Sequence, residues 1–327
     1  PAHTATAARL DLRDSVAPVR SRTRMRRAAL LATLFGGLVA GCADDPRATP
    51  ATDAGVDGPP ADAPDQTVVE SRRVQIGPLT IGPGQEATVC QVVDLGNTVP
   101  RMVRTVRSEL TGGTHHVIAT LTTEAPTATP TPCGAFAGGG PGNGILTIAQ
   151  QPTAALAYPD GAGLPITAHQ SVHLEMHYLN AGDQPLAIGG TVTLDLADAN
   201  AALAPVALTF TGNGAISIPA HTTAHLTSEH ALPAGTRLFA TTAHTHQWGR
   251  HATVELLRSA GDPSPLVLHD STDWADRPLD QFAPITIGPD ARLRLTCDFD
   301  NQSDQTVNFG LSAEDEMCFL WAHHVPQ

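Results

Sequence analysis

The chain contains no lysine, and its arginines crowd one end: seven of the 19 basic residues precede Cys42, opposed there only by Asp11 and Asp14. From Cys42 onward 12 arginines face 30 carboxylates, a net charge of −18. A surface of that sign repels nucleic acid and anionic lipid headgroups, which argues against both as partners. Long helical stretches are scarce, and no internal repeat is evident. The apolar run from Ala28 to Ala40 is too short to span a bilayer. The closely spaced cysteines that a thiolate metal site needs are also missing.

What is present favours strands. With 29 Gly and 27 Pro, short elements joined by turns are expected. Alternating segments rich in β-branched residues recur at Arg73–Ile76, Ala87–Val92, Val117–Leu121, Thr191–Leu196, Val206–Phe210 and Arg292–Thr296, with turn signals such as Gly82-Pro83-Gly84 and Pro289-Asp290 nearby. A length of 327 residues suits two domains. The expected fold is all-β: two antiparallel sandwich domains in tandem over residues 70–198 and 199–327, with a long loop over Pro126–Gly144 and a junction near Asp198–Ala204.

The N-terminal part has the pattern of an export signal. Met25-Arg26-Arg27 precedes the Ala28–Ala40 run, and Leu38-Val39-Ala40-Gly41-Cys42 resembles a bacterial lipobox, in which the cysteine becomes the lipid-modified N-terminus. On that reading residues 1–41 are upstream sequence and signal peptide. Residues 42–69, dominated at first by Ala, Asp, Pro, Thr and Gly, form a disordered linker. The expectation is an exported bacterial lipoprotein at the periplasmic face or cell surface, in the outer membrane, touching the bilayer only through Cys42.

Setting Cys42 aside leaves Cys90, Cys133, Cys297 and Cys318, an even number that reads as two disulfides in an oxidising compartment. Three connectivities are open. Cys90 with Cys133 and Cys297 with Cys318 keeps each bridge inside one domain.

Histidine carries the chemistry. His244 and His246, in Ala-His-Thr-His-Gln-Trp-Gly, are spaced so that both imidazoles of an extended segment face one side and can share an ion, with Thr245 turned away. Met317, in Glu-Met-Cys, offers a thioether that zinc, magnesium and calcium rarely take but copper accepts among imidazoles. His115 and His116 are adjacent, so both reach one ion only where the strand is bulged; Gly112 and Gly113 supply that irregularity. His177, on another strand, completes an all-nitrogen set.

Taken in order, His115-His116, Leu174-Glu175-Met176-His177-Tyr178, Leu238-Phe239-Ala240 leading into His244-Thr245-His246, Gly249-Arg250 and Asp315-Glu316-Met317-Cys318 resemble the copper type II ascorbate-dependent monooxygenases, the family of dopamine beta-monooxygenase and peptidylglycine alpha-hydroxylating monooxygenase. The likeness runs from about residue 70 to the end. It implies two jelly-roll domains separated by a water-filled cleft, and two copper ions per chain. One ion, held by His115, His116 and His177, relays electrons from ascorbate or another one-electron reductant. The second, held by His244, His246 and Met317, meets O2 and a small-molecule or peptide substrate, and the outcome is hydroxylation of a C–H bond. The same two disulfides are implied.

Thr242 and Trp321 stand where peptide-amidating members carry substrate-anchoring arginine and tyrosine, which argues against peptide amidation. His169, His173, His221, His225, His230, His251 and His269 read as structural or surface residues, and His323 as a candidate neighbour of the second copper. A copper-binding envelope protein without oxygen chemistry, for storage or sensing, is the alternative. An adhesion or carbohydrate-binding module with incidental histidines is a weaker one.

Overall fold

Strand Arg292–Asn301 shows how the sequence builds this molecule: Leu293, Leu295, Cys297, Phe299 and Asn301 are buried, while the residues between them face outward. Period-two burial of this kind places one side of a sheet on a core. The computed structural model describes residues 67–138, 144–199, 203–275 and 277–327. The signal peptide, the Cys42 lipidation site and nearly all of the 42–69 linker therefore lie outside the described residues.

The described residues contain strands but no α-helix, and the pairing is mainly antiparallel. A six-stranded sheet runs Val68–Ile81, Leu186–Asp198, Arg101–Leu110, Ala162–Ile166 and Ala204–Pro205, with Thr153–Ala157 added against Arg101–Leu110. A five-stranded sheet runs Thr131–Pro132, Glu86–Asp94, Ser171–Leu179, Thr114–Thr122 and Ile145–Ala149. Between these two sheets lies a core that includes Val74, Val103, Val117, Leu146, Leu174, Met176 and Leu194.

Later in the chain, one four-stranded sheet runs Ala207–Gly212, Phe319–Val325, Arg237–His244 and Asp280–Thr286. Another runs Thr222–Ala231, Arg292–Asn301, Gly249–Leu257 and Leu266–Ser271, and a short pair joins Ser217–Ile218 to Val307–Asn308. Leu238, Val254, Leu293, Leu295, Phe299 and Leu320 form their core. Each alternating segment expected from the sequence falls in a strand, except that Val206 lies just before Ala207–Gly212. Cys90 is bonded to Cys133 and Cys297 to Cys318, with Cα–Cα distances of 5.8 and 6.0 Å.

Several strands are buried without alternation. Ile145–Ala149 is buried throughout, as are Ser171–His177 and Leu238–His244. A strand covered on both faces has a core on one side and a second layer on the other. That second layer is the junction between the early and late sheets, where Ile118, Ile145 and Ile148 pack with Leu208 and Trp321, flanked by Phe136, Phe210 and Leu279. His177 and His244 lie on these doubly covered strands and His246 just past the end of one, while His115 and His116 open the neighbouring strand Thr114–Thr122.

The irregularity at His115 is built as the sequence requires. Thr114 pairs with Tyr178 and His116 with His177, so His115 is the extra residue of a bulge. Gly113 precedes it with φ of +86°, and a Cβ there would lie 2.4 Å from Leu186 Cδ2. Gly113→Ala therefore combines a left-handed backbone with a clash. It is expected to cost about 1–3 kcal/mol, read as a lower denaturant midpoint at unchanged slope; wild-type stability in the variant would refute this account of the bulge.

Candidate metal centre

Five imidazoles from three segments of chain meet at the junction. Within the early sheets, ring centres are 5.2 Å apart for His115 and His116, 5.5 Å for His115 and His177, and 5.1 Å for His116 and His177. His244 and His246 are 5.0 Å apart. The two groups also approach each other: His115 is 5.5 Å from His244 and 6.0 Å from His246, and His116 is 5.8 Å from His244. Ring nitrogens of His115, His116 and His177 lie within 4.8 Å of one another, and so do those of His115, His244 and His246.

This differs from two trios facing each other across a water-filled cleft, since His115 is as near to His244 as to His177. The cause is the junction, whose apolar side chains draw the doubly covered strands together. Neutral imidazoles do not resist that approach. Burial pushes His115 down to about 3 and His246 down to about 4, and it holds His116 and His244 well below the ordinary imidazole value.

Neutral imidazoles suit metal binding when the second ring nitrogen is tied down, because that fixes which nitrogen keeps its lone pair. Gln150 does this for His244. Its Nε2 donates to the Ala243 carbonyl (3.0 Å), so its Oε1 must accept from His244 Nδ1 (2.9 Å), leaving His244 Nε2 bare. His246 Nδ1 donates to the Asp315 carbonyl (3.2 Å) with the same result. His177 Nε2 donates to Glu86 Oε1 (3.0 Å), which frees Nδ1. His115 Nε2 and His116 Nδ1 are buried with no hydrogen-bond partner. Buried polar atoms without partners are uncommon in folded proteins; others here include nitrogens of His173, His269, His323 and His324, but only those of His115 and His116 sit within the imidazole cluster.

Met317 is 4 % exposed and lines the same space as His116, His177, His244 and His246. The rest of that wall is Thr88, Ile118, Ala135, Phe136, Ile148, Phe210, Leu311 and Trp321, so apart from the imidazoles it has no ionisable side chain. The free space is about 20 Å³, room for a water or two. Trp321, 6.0 Å from His244 between ring centres, has a buried Nε1–H with no partner.

Glu316 organises the late half of the site from a fully buried position. Its Oε2 accepts the backbone N–H of His246 (2.8 Å) and Met317 (3.1 Å), and Oε1 those of Trp248 (2.7 Å) and Gly249 (3.1 Å). Burial pushes the carboxyl up to about 7 against these four donors. One carboxylate thus ties the His-x-His turn to the methionine, and the Cys297–Cys318 bridge anchors the next residue. A side chain at Gly249 would meet Thr245 Oγ1 at 2.0 Å, so the turn needs glycine there.

The other histidines are placed apart from this cluster. His221, His225, His251 and His269 each pair with an aspartate at 2.6–2.9 Å, and His230 bonds Thr211 Oγ1 at 2.9 Å. His169 occupies a turn with φ of +53°. His173 has Glu124 at 3.6 Å. His323, 2 % exposed, lies 6.2 Å from the Phe239 ring and does not line the histidine space, and Thr242 Oγ1 accepts from Gln150. Gln150 and Glu86 had no motif to mark them, and Glu316 stood in the Asp315–Cys318 motif without a role of its own. Only Glu316, beside Met317, had a local hint. Gln150→Ala is expected to weaken copper binding about 10–100-fold by releasing the His244 ring. Competition against a chelator measures this, and unchanged affinity would remove the tautomer argument.

Residues 206–327 match the family model described as copper type II ascorbate-dependent monooxygenase, C-terminal domain. That stretch holds His244, His246, Met317 and the Cys297–Cys318 bridge; His115, His116 and His177 lie outside it. Among solved structures, the chain is similar to the major capsid protein P2 from Bacteriophage PM2 at 7% identity and a TM-score of 0.32, covering 78% of this chain and 97% of that one. It is also similar to the STIV MCP at 8% identity and a TM-score of 0.30, covering 78% and 96%. Both likenesses are too slight to bear on function. No curated protein matches the chain.

Proposed function

We propose that this protein is a copper-dependent monooxygenase that uses O2 and a one-electron reductant such as ascorbate to hydroxylate a C–H bond of a neutral, apolar molecule. The observation that carries the reading is the cluster of five buried imidazoles, with His177, His244 and His246 each tied through one ring nitrogen and His115 and His116 each showing an unpartnered one. Met317 in the same wall favours copper over harder ions. The family match over residues 206–327 supports the same chemistry.

Copper bound here supplies one-electron redox chemistry and reactivity towards O2. The protein's own part is to hold His115, His116 and His177 as an electron-relay set and His244, His246 and Met317 as the oxygen-facing set. Gln150, Glu86 and Glu316 fix the ligands before metal arrives. The wall of Ile118, Phe136, Ile148, Phe210, Leu311 and Trp321 excludes water and selects an apolar substrate, since no carboxylate, arginine or lysine lines it to hold an amine or a carboxylate. Two jelly-roll layers in tandem, carried on a lipid anchor at Cys42 outside the cytoplasm, complete the reading.

Storage or sensing of copper has one observation in its favour: a free space of about 20 Å³ admits O2 but no organic substrate until the walls move. Anaerobic titration with Cu(I) decides the metal question. Two ions per chain, with loss of one in His244→Ala, is the expected result. One ion or fewer per chain, as when His115, His244 and His246 share a single site, removes the relay. Oxygen uptake is then followed with ascorbate and a panel of neutral aromatic and aliphatic compounds. Consumption that never couples to a hydroxylated product leaves copper storage as the function.

A further inference from the structure

We infer that Arg277 is a positioning residue of the His244–His246 pair, whose buried charge also biases bound metal towards its monovalent state. This rests on the proposal that the pair holds copper. Arg277 is fully buried, and among the described residues its guanidinium forms no ion pair. Its Nη1 donates to the Ser271 carbonyl (3.0 Å) and its Nη2 to Thr245 Oγ1 (2.8 Å), while Nε is buried without a partner. Among the described residues no anion contacts the guanidinium, and desolvating a cation is costly, so a structural role alone would be served as well by an apolar side chain.

What distinguishes Arg277 is where it is held. Thr245 separates the two histidines, and its hydroxyl is the only link from the guanidinium to that segment. Arg277 also shares a cavity of about 10 Å³ with Gln150 and Thr242, the pair that sets the His244 ring. The guanidinium therefore fixes the residue between the ligands and places a permanent positive charge beside them. Two imidazoles and a thioether are uncharged, so the charge at the metal rises by one in going from Cu(I) to Cu(II). A nearby buried cation disfavours that rise, because charges interact strongly where water is excluded. The carboxylates of Glu316 and Asp273 favour the charge on Arg277 without forming an ion pair with it.

Chelator competition with Cu(I) and with Cu(II), on the full chain, separates the two effects. In Arg277→Gln the ratio of Cu(II) to Cu(I) affinity is expected to rise about tenfold, equal to a fall of about 59 mV in a one-electron potential. Arg277→Lys keeps the charge but loses the planar fork, and Thr245→Val keeps the charge but loses the link. In both, the two affinities fall together and the ratio stays within about twofold of wild type, since the charge remains while the geometry is lost. An unchanged ratio in Arg277→Gln overturns the inference. Should that variant fail to fold, Arg277→Lys decides, and a shifted ratio or wild-type affinities there overturn it. Wild-type protein that binds no copper defeats the parent proposal instead.

Discussion

Glu316→Ala is expected to destabilise the protein by at least about 4 kcal/mol and to abolish tight copper binding. Among the described residues the carboxylate is the sole side-chain or backbone acceptor for the N–H groups of His246, Trp248 and Met317, and it shares that of Gly249 with the His246 carbonyl; His246, Gly249 and Met317 are buried and Trp248 is half-buried. Each buried donor left without a partner costs about 1–3 kcal/mol, and relaxation of the turn recovers part of the sum. The metal site suffers separately, because Oε2 joins the backbone N–H groups of His246 and Met317 on one atom. Glu316→Gln keeps the shape but turns one oxygen into an NH2 group facing two N–H donors, so it is expected to cost about half as much. Urea unfolding of the metal-free proteins measures both. An alanine variant within about 1 kcal/mol of wild type would show that the turn finds other acceptors and that Glu316 does not organise the site.

That carboxylate marks the limit of what the sequence discloses. Arg292–Asn301 alternates strictly and announces its strand, and the bulge at His115 was foreshadowed by two glycines before two adjacent histidines. Leu238–His244 is different. Its adjacent threonines at 241 and 242 point to opposite faces, and both are buried because the second face of the strand meets the junction rather than solvent. Convergence of His115 with His244 depends on how two pairs of sheets pack, which period-two patterning cannot encode. Gln150 and Glu86 lie 94 and 91 residues from the imidazoles they hold. A polar side chain that serves a distant partner leaves no local spacing to read. The motif-bearing histidines that the structure brings together were therefore legible, while the residues that orient them and the distance between the two sets were not.

The metal-free protein is expected to lose at least about 4 kcal/mol of stability between pH 7 and pH 5, and bound copper is expected to suppress the part of that loss due to the ligand imidazoles. An imidazole that stays neutral in the fold but titrates near 6.5 when unfolded lets the unfolded chain take up the extra proton. Stability from such a group is complete above the unfolded pKa and drains away as pH falls towards the folded one. His115, His246 and His323, held at about 3, 4 and 3, define a window from about 6.5 down to about 3–4. At pH 5 each contributes a loss of about 2 kcal/mol, from a separation of about 1.5 units at 1.36 kcal/mol per unit. His116 and His244 add in the same direction. Glu316 opposes them: its carboxyl, raised to about 7, binds a proton more readily in the fold and returns about 2 kcal/mol over the same interval. The balance corresponds to a fall in Tm of about 8–16 °C for a unit of this size. At the ligand imidazoles copper occupies the lone pairs that the proton would take, so that part of the loss appears only once metal is released, while the share of His323, which lies outside the site, persists in the loaded protein. Melting curves at pH 7 and pH 5, with and without Cu(I) under anaerobic conditions, test both halves. A metal-free Tm that is the same at the two pH values would mean that the imidazoles are hydrated and charged in the fold, and the cluster would then lose the neutrality on which its use as a ligand set depends.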